Sequence, residues 1–275
     1  MLSLAGVLTE TTAETAAALT LAAARRVVEA DAFMRGGKYA GWLPTLFVGK
    51  LLQGATVGIV GAGRIGFAYA RMMVEGHKCD VLYFDPFPNA ALEGYVKAYG
   101  DFLASRGEKR VSCRRVSSLS ELLAHSDVVS LHTALDASSR HLMNAARLAE
   151  MKPDGVLINC ARGPVIHEAA LVAHLRANPD FRVGLDVFEN EPAMAPGLAD
   201  CPNAVIVPHI ASASLFTRGG MATLAAANVA ARLAGLPVWA TPDSVAPFLE
   251  GAVGGIPKAS PSIVNAKQLG LPTLK

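Results

Sequence analysis

Charge is scarce in this chain of 275 residues. Asp, Glu, Lys and Arg together make up 17%, and the formal net charge is +2. No basic stripe with interleaved aromatics is present, so nucleic acid is not an expected partner, and nothing resembles an electrostatic membrane anchor. Cysteine is sparse too. Cys79, Cys113, Cys160 and Cys201 are scattered, form no CxxC pair and have no histidine at ligand spacing. Neither a disulfide framework nor a metal site is therefore expected, and the four read as free thiols packed as small apolar residues in a reducing compartment. No apolar run is long enough to span a bilayer. The apolar N-terminus meets Glu10 and Glu14 early, with no basic region before them, which argues against a secretory leader.

Apolar residues account for 52% of the chain, enough for one large domain with or without a smaller piece. Thr11 and Glu14 fit a capping box, with a helix expected from there through Ala30 to Gly36-Gly37. Trp42 and Phe47 fall in the loop that follows. Strands are then predicted at Thr56–Val60, Val81–Asp85, Arg110–Val116, Asp127–Leu131, Val156–Asn159, Arg182–Asp186 and Ala204–Val207. Helices are predicted at Arg64–Glu75, Ala90–Ala104, Leu119–Ala124, Ala145–Met151, Glu168–Ala177 and Ala213–Leu233. Strands apolar throughout need both faces covered. Alternation with helices therefore implies an α/β, doubly wound parallel sheet of Rossmann type. From Pro237 the chain turns rich in Pro, Gly and Ser and reads as an irregular extension.

Gly61-Ala62-Gly63-Arg64-Ile65-Gly66 follows the first strand and opens a helix. In that context a GxGxxG cradles a dinucleotide: Gly61 for the turn, Gly63 for approach of the pyrophosphate, Gly66 for helix packing, with Arg64 and Ile65 opening the helix. Asp85 ends the second strand about twenty residues on, where a carboxylate accepts from the adenosine ribose hydroxyls and repels the extra phosphate of NADP. No arginine directly follows it; Pro86 and Phe87 do. NAD is expected, with NADH preferred over NADPH.

Three polar residues follow later strands, at the sheet edge where ligands bind: Arg162, Glu191 and His209. An arginine fork suits a substrate carboxylate. An imidazole suits proton donation to a carbonyl that accepts hydride. A carboxylate bonded to that imidazole would hold its tautomer and favour its charged form. Each residue alone also fits a bland role: a turn cap, a solvated loop acid, a satisfied histidine. His132 and Thr133 are expected near the nicotinamide ribose, Asp186 near the carboxamide, and Cys160 and Ala161 beside the cofactor. His77, His125, His141, His167 and His174 read as surface or helix residues without a role.

The segments TVGIVGAGRIG, VVSLHTALDASSRHLMN, VLINCARGPVIHEAALVAHL, VGLDVFENEP and VPHIASAS together resemble the D-isomer-specific 2-hydroxyacid dehydrogenases. The resemblance implies a catalytic triad at Arg162, Glu191 and His209. LEGYVKAYGDFL and the tail PSIVNAKQLGLP are similar to the hydroxypyruvate reductase branch of plants and algae. That branch implies NADH-dependent reduction of hydroxypyruvate to D-glycerate, with glyoxylate a lesser substrate, in peroxisomal photorespiration, by a homodimer joined mainly through the cofactor domain. There are departures. Ala134 stands where proline is common. The final Thr-Leu-Lys is not the peroxisomal Ser-Lys-Leu signal, so the compartment is otherwise cytoplasmic. Family members carry roughly one hundred further residues of substrate lobe ahead of the matching region. The expected division is thus a cofactor domain over 12–235 and remnants of the substrate lobe at 1–11 and 236–275. Two alternatives stay open: a dehydrogenase for another acid, such as glyoxylate or phosphoglycerate, and a non-catalytic NAD-binding module.

Overall fold

Runs of Val, Ile and Leu that are apolar on both sides cannot rest in a sheet with one wet face, and they set the architecture. The structure, a computed structural model, describes residues 6–239, 245–249, 257–263 and 265–274. Helices α1 (Thr9–Ala24) and α2 (Val27–Arg35) precede an alternating series: β1 (Thr56–Val60), α3 (Arg64–His77), β2 (Asp80–Phe84), α4 (Ala90–Ser105), β3 (Cys113–Arg115), α5 (Leu119–His125), β4 (Val128–Leu131), α6 (Ala145–Ala149) and β5 (Val156–Asn159). A 3-10 turn (Gly163–Val165), α7 (Glu168–Ala177), β6 (Arg182–Leu185) and β7 (Ala204–Ile206) complete it. After these come α8 (Leu215–Leu233), β8 (Val238–Trp239), α9 (Ala246–Leu249) and β9 (Thr273–Leu274).

Strands β1 to β7 form one sheet in the order β3-β2-β1-β4-β5-β6-β7, and every neighbouring pair is parallel. This is the expected doubly wound sheet. Alternate strand residues feed two cores: Val57, Ile59 and Val128 join Leu19, Tyr69 and Met73 on one face, while Val60, Val129 and Leu131 join Leu122, Leu171 and Phe181 on the other. The order reverses between β1 and β4, so the chain leaves these adjacent strands in opposite directions and opens a crevice beyond their C-terminal ends.

Residues Ala13–Ala211 form one compact unit, and Met1–Thr12 with Ser212–Lys275 form a second. Helix α8, expected within the cofactor domain, belongs to the second. Its Leu224 is buried in a cluster with Val7, Val245 and Phe248. The tail is also more regular than expected, since β8 and β9 pair in parallel. Parts of the expected terminal remnant, at residues 1–5, 240–244, 250–256, 264 and 275, lie outside the described residues.

The first helix differs from its prediction at both ends. It begins at Thr9, so Thr11 sits within its first turn and not at the N-cap position; its hydroxyl meets the Thr217 hydroxyl at 2.6 Å. The single helix expected to Gly36-Gly37 is broken at Arg26, whose φ is 57°. The Ala24 carbonyl accepts from Lys50 N–H at 2.8 Å, so the first helix ends against that stretch of backbone. Arg26 then pairs with Glu29 at 2.6 Å and lies over the Phe47 ring, 5.1 Å from its centroid. Trp42 remains in an exposed loop. No helix of the described residues is long and apolar enough to cross a membrane.

The join from α7 to β6 depends on one side chain. Buried Asn203 donates Nδ2 hydrogens towards Leu175 O (3.1 Å), Asn178 O (3.2 Å) and Phe181 O (2.8 Å). Removing it strands buried carbonyls, so we expect Asn203→Ala to destabilise the protein by about 1–3 kcal/mol. Urea unfolding checks this: the midpoint should drop with the slope unchanged.

Candidate active site

The site is assembled from loops beyond the C-terminal ends of β1, β2, β4, β5, β6 and β7. Gly61 has φ 93°, and a Cβ there would lie 2.8 Å from His132 O and 3.0 Å from Thr133 N. Only glycine lets the β1 loop turn against the end of β4. Gly66 packs as tightly, since a Cβ on it would meet Gly61 O at 2.2 Å. Gly63 is the reverse: it is exposed, caps α3 without a side-chain hydrogen bond, and a Cβ there would meet nothing within 4 Å. Arg64 and Ile65 open the helix behind it. A helix N-terminus faced by open space of this kind fits a pyrophosphate.

Asp85 stands one residue beyond β2. Its carboxylate accepts from Ala62 N–H through Oδ2 and Phe87 N–H through Oδ1, each at 2.9 Å. The acid is thereby fastened to the glycine loop, and Asn89 Nδ2 donates to Ala62 O at 2.7 Å from the same side. The fold also brings up an arginine that sequence reading did not place. Arg115 is opposite Tyr83 in the β2–β3 ladder and donates Nε to Asp85 O (3.0 Å) and Nη2 to Pro86 O (2.7 Å). Strand pairing, not chain spacing, makes this arginine a neighbour of Asp85.

Beyond β4, the His132 ring lies 5.1 Å from that of Tyr69, and its buried Nε2 has no hydrogen-bond partner. Burial lowers its pKa to about 3, so the ring is neutral at pH 7. Thr133 is half-buried, and its hydroxyl donates to Ala134 O at 3.3 Å. At the end of β5, the buried side chain of Asn159 clamps the following turn: Oδ1 accepts Ala161 N–H and Nδ2 donates to Arg162 O, both at 3.0 Å. Asn159 was not singled out, because an asparagine ending a strand has no distinguishing pattern. Cys160 is buried, and burial with the nearby Asp186 charge pushes its thiol up, which leaves it unreactive. Arg162 is exposed, with Nη1 donating to Ala161 O at 2.6 Å.

The two remaining residues meet. His209 Nδ1 lies 2.9 Å from Glu191 Oε2, and Glu191 Oε1 accepts Phe188 N–H at 3.0 Å. Burial works against the ionised Glu191 carboxyl. The His209 bond, the Phe188 amide and the charges of His209 and Arg162 outweigh it and hold Glu191 below the usual carboxylate range. His209 itself has φ 54°, and Asp186 underlies that turn. The buried Asp186 carboxylate accepts Ile210 N–H at 2.6 Å and Ala211 N–H at 2.9 Å, and its carbonyl accepts His209 N–H at 2.9 Å. Burial raises this carboxyl above its usual range despite the two amides. Both of its oxygens, expected to face a carboxamide, thus hold the histidine turn. Among the described residues no group of histidines, cysteines and acids is arranged to hold a metal.

A dinucleotide crevice on a parallel sheet, with an imidazole–carboxylate pair and an arginine on the loops beside it, defines an NAD-binding oxidoreductase domain. The chain belongs to the D-isomer specific 2-hydroxyacid dehydrogenases, whose NAD binding domain matches residues 17–211. It is 64% identical over 265 residues to glycerate dehydrogenase of Cucumis sativus, covering 96% of this chain and 69% of that protein. It is 63% identical over 270 residues to the peroxisomal glycerate dehydrogenase HPR of Arabidopsis thaliana, covering 98% and 70%. A solved structure from Thermus thermophilus superposes with a TM-score of 0.73 at 40% identity, covering 85% of this chain and 68% of that one.

His132 links this site to acid stability. Its folded pKa, about 3, lies below the ordinary value of 6.5, so between those values the unfolded chain binds the extra proton and stability falls with acidification. We expect His132→Phe to lessen that fall, by up to about 1.4 kcal/mol per pH unit over the window. Denaturation midpoints at pH 6.5 and pH 4.5 for both proteins measure it; parallel declines would refute the assignment.

Proposed function

We propose that this protein reduces hydroxypyruvate to D-glycerate with NADH, and takes glyoxylate as a lesser substrate. The observation that carries the proposal is the 2.9 Å contact of His209 Nδ1 with Glu191 Oε2, in loops beyond the same sheet edge that carries the glycine turn. The names of the Cucumis and Arabidopsis relatives favour glycerate chemistry over the other acids, and retention of Arg162, Glu191 and His209 favours an enzyme over a silent NAD-binding module.

NADH, when bound, supplies the hydride for the carbonyl carbon. Gly61, Gly63, Arg64, Ile65 and Gly66 hold its pyrophosphate, and Asp85 accepts from the adenosine ribose. His132, Thr133, Cys160 and Ala161 shape the nicotinamide end, and Asp186 holds the turn that carries His209. Arg162 pairs with the substrate carboxylate and polarises the carbonyl. With Nδ1 turned to Glu191, His209 presents Nε2, which gives its proton to the carbonyl oxygen. Glu191, kept ionised, fixes the tautomer and stabilises the imidazolium.

The unit Ala13–Ala211 is read as the cofactor domain and the terminal segments as part of the substrate lobe. We assign a homodimer joined through the cofactor domain. The exposed apolar side chains of Val27, Met34, Trp42, Leu43, Val48 and Leu51 support a second copy as their cover. The compartment is read as the peroxisome, after the Arabidopsis relative's name, and the setting as photorespiration.

His209→Ala should lower kcat for hydroxypyruvate by on the order of 10²–10⁴-fold while NADH fluorescence still reports binding. Undiminished turnover would remove His209 as proton donor. Asp85→Ala should raise the NADPH-to-NADH ratio of kcat/KM by about tenfold, a change of roughly 1.4 kcal/mol. With Arg115 beside it, loss of the acid leaves a cation near the ribose; a constant ratio would show that Asp85 does not read the cofactor.

A further inference from the structure

Two of the loops assigned to chemistry are joined by a cluster outside it. His141 has a left-handed backbone, φ 50°. Its N–H donates to Pro164 O at 2.8 Å, in the turn that follows Arg162. Its imidazole Nε2 lies 2.5 Å from Glu189 Oε1, two residues before Glu191. One residue therefore holds the arginine loop by its main chain and the glutamate loop by its ring.

Glu189 is held from a second side by α7. Its Oε2 accepts Glu168 N–H at 3.1 Å. The Glu168 side chain, itself 3% exposed, answers by accepting Glu189 N–H (Oε1, 2.8 Å) and Ala195 N–H (Oε2, 2.9 Å). The segment that carries Glu191 is thus tied at both ends to one buried carboxylate. The arginine turn is pressed on the same segment, because a Cβ on Gly163 would lie 1.8 Å from Phe188 O. Glu189 is also faced by Arg140, whose Nη2 lies at 3.9 Å, by His141, and by His167, whose ring is 4.7 Å from that of His141. Burial opposes the ionised Glu189, but the His141 bond, the Glu168 amide and the histidine charges outweigh it and hold its carboxyl below the usual range.

We infer that His141, Glu168 and Glu189 are positioning residues that set the placement of Arg162 and Glu191 relative to each other, and act on the reaction through Glu191. The inference rests on the roles given above to Arg162, Glu191 and His209. A bracket of this kind matters because proton transfer and carboxylate binding demand placement within fractions of an ångström, and an error of about 1 Å can reduce rate by roughly 10²-fold.

The test compares the parent protein with Glu189→Gln, His141→Ala, Glu191→Gln and the Glu189→Gln/Glu191→Gln double variant. Three readouts are used: NADH-dependent reduction of hydroxypyruvate, NADH affinity by fluorescence, and amide hydrogen exchange. Glu189→Gln should lower kcat roughly 10- to 100-fold with the Kd for NADH changed by less than about twofold, and the double variant should be no slower than Glu191→Gln alone, since coupled residues are not additive. Amides of 188–195 should exchange faster in Glu189→Gln and His141→Ala, with β1 unaffected. If Glu189→Gln does not fold, His141→Ala carries the same comparison. Multiplying losses in the double variant, or unchanged exchange over 188–195, would overturn the bracket. A parent protein that leaves hydroxypyruvate unreduced would instead overturn the proposed reaction, while the exchange result still decides the bracket.

Discussion

The approach of the Gly61 backbone to the carbonyl of His132 is the contact on which the rest depends. Strands β1 and β4 are neighbours by parallel pairing, yet their continuations run to opposite sides of the sheet. A crevice is the geometric result, and its floor is the place where the β1 turn touches the end of β4. Any side chain at position 61 would wedge the two strand ends apart and fill the space. With glycine there, the helix N-terminus at Gly63 and the loops beyond β5, β6 and β7 can all face one region.

Those loops are kept in shape by polar side chains whose partners are backbone groups. Asp85 binds the glycine loop, Asn159 the arginine turn, Asp186 the histidine turn and Glu168 the glutamate segment. Each is buried or half-buried, and each answers amides that would otherwise lie inside the protein without acceptors. The side chains left facing outward are Arg162, Glu191 and His209. Rigid, satisfied groups beneath and exposed, ionisable groups above is the division of labour that a site requiring fixed geometry and mobile protons demands.

Most strands and helices from Thr56 to Ile206 were legible because local pattern and tertiary role coincide there; the exception is β3, which spans only Cys113–Arg115 of the expected Arg110–Val116 and is partly exposed. A run such as Val57–Val60 is apolar throughout because it is buried on both faces, and its neighbours cannot change that. Legibility failed where a distant partner decides the outcome. Thr11 looks like a cap until Thr217 is seen to be its neighbour, and α1 ends where Lys50 takes the Ala24 carbonyl. Helix α8 belongs with the termini because Val7, Val245 and Phe248 meet it across the chain. Within the candidate site, Arg162, Glu191 and His209 were singled out by their motifs, and the structure brings Glu191 and His209 into contact. Arg115 and His141 were not, since each becomes relevant through a partner at least 29 positions away.

By itself, the order of residues determined the parallel α/β class, the glycine turn with its acid at the next strand end, and three polar residues stationed after later strands. These follow from short-range rules of period, turn geometry and helix termini, which need no knowledge of what lies opposite. Tertiary structure alone decided that His209 and Glu191 touch, that Asp186 faces backbone amides, and that one histidine joins two loops. Hydrogen bonds act over about 3 Å, and which groups come that close is settled only when the whole sheet has been packed.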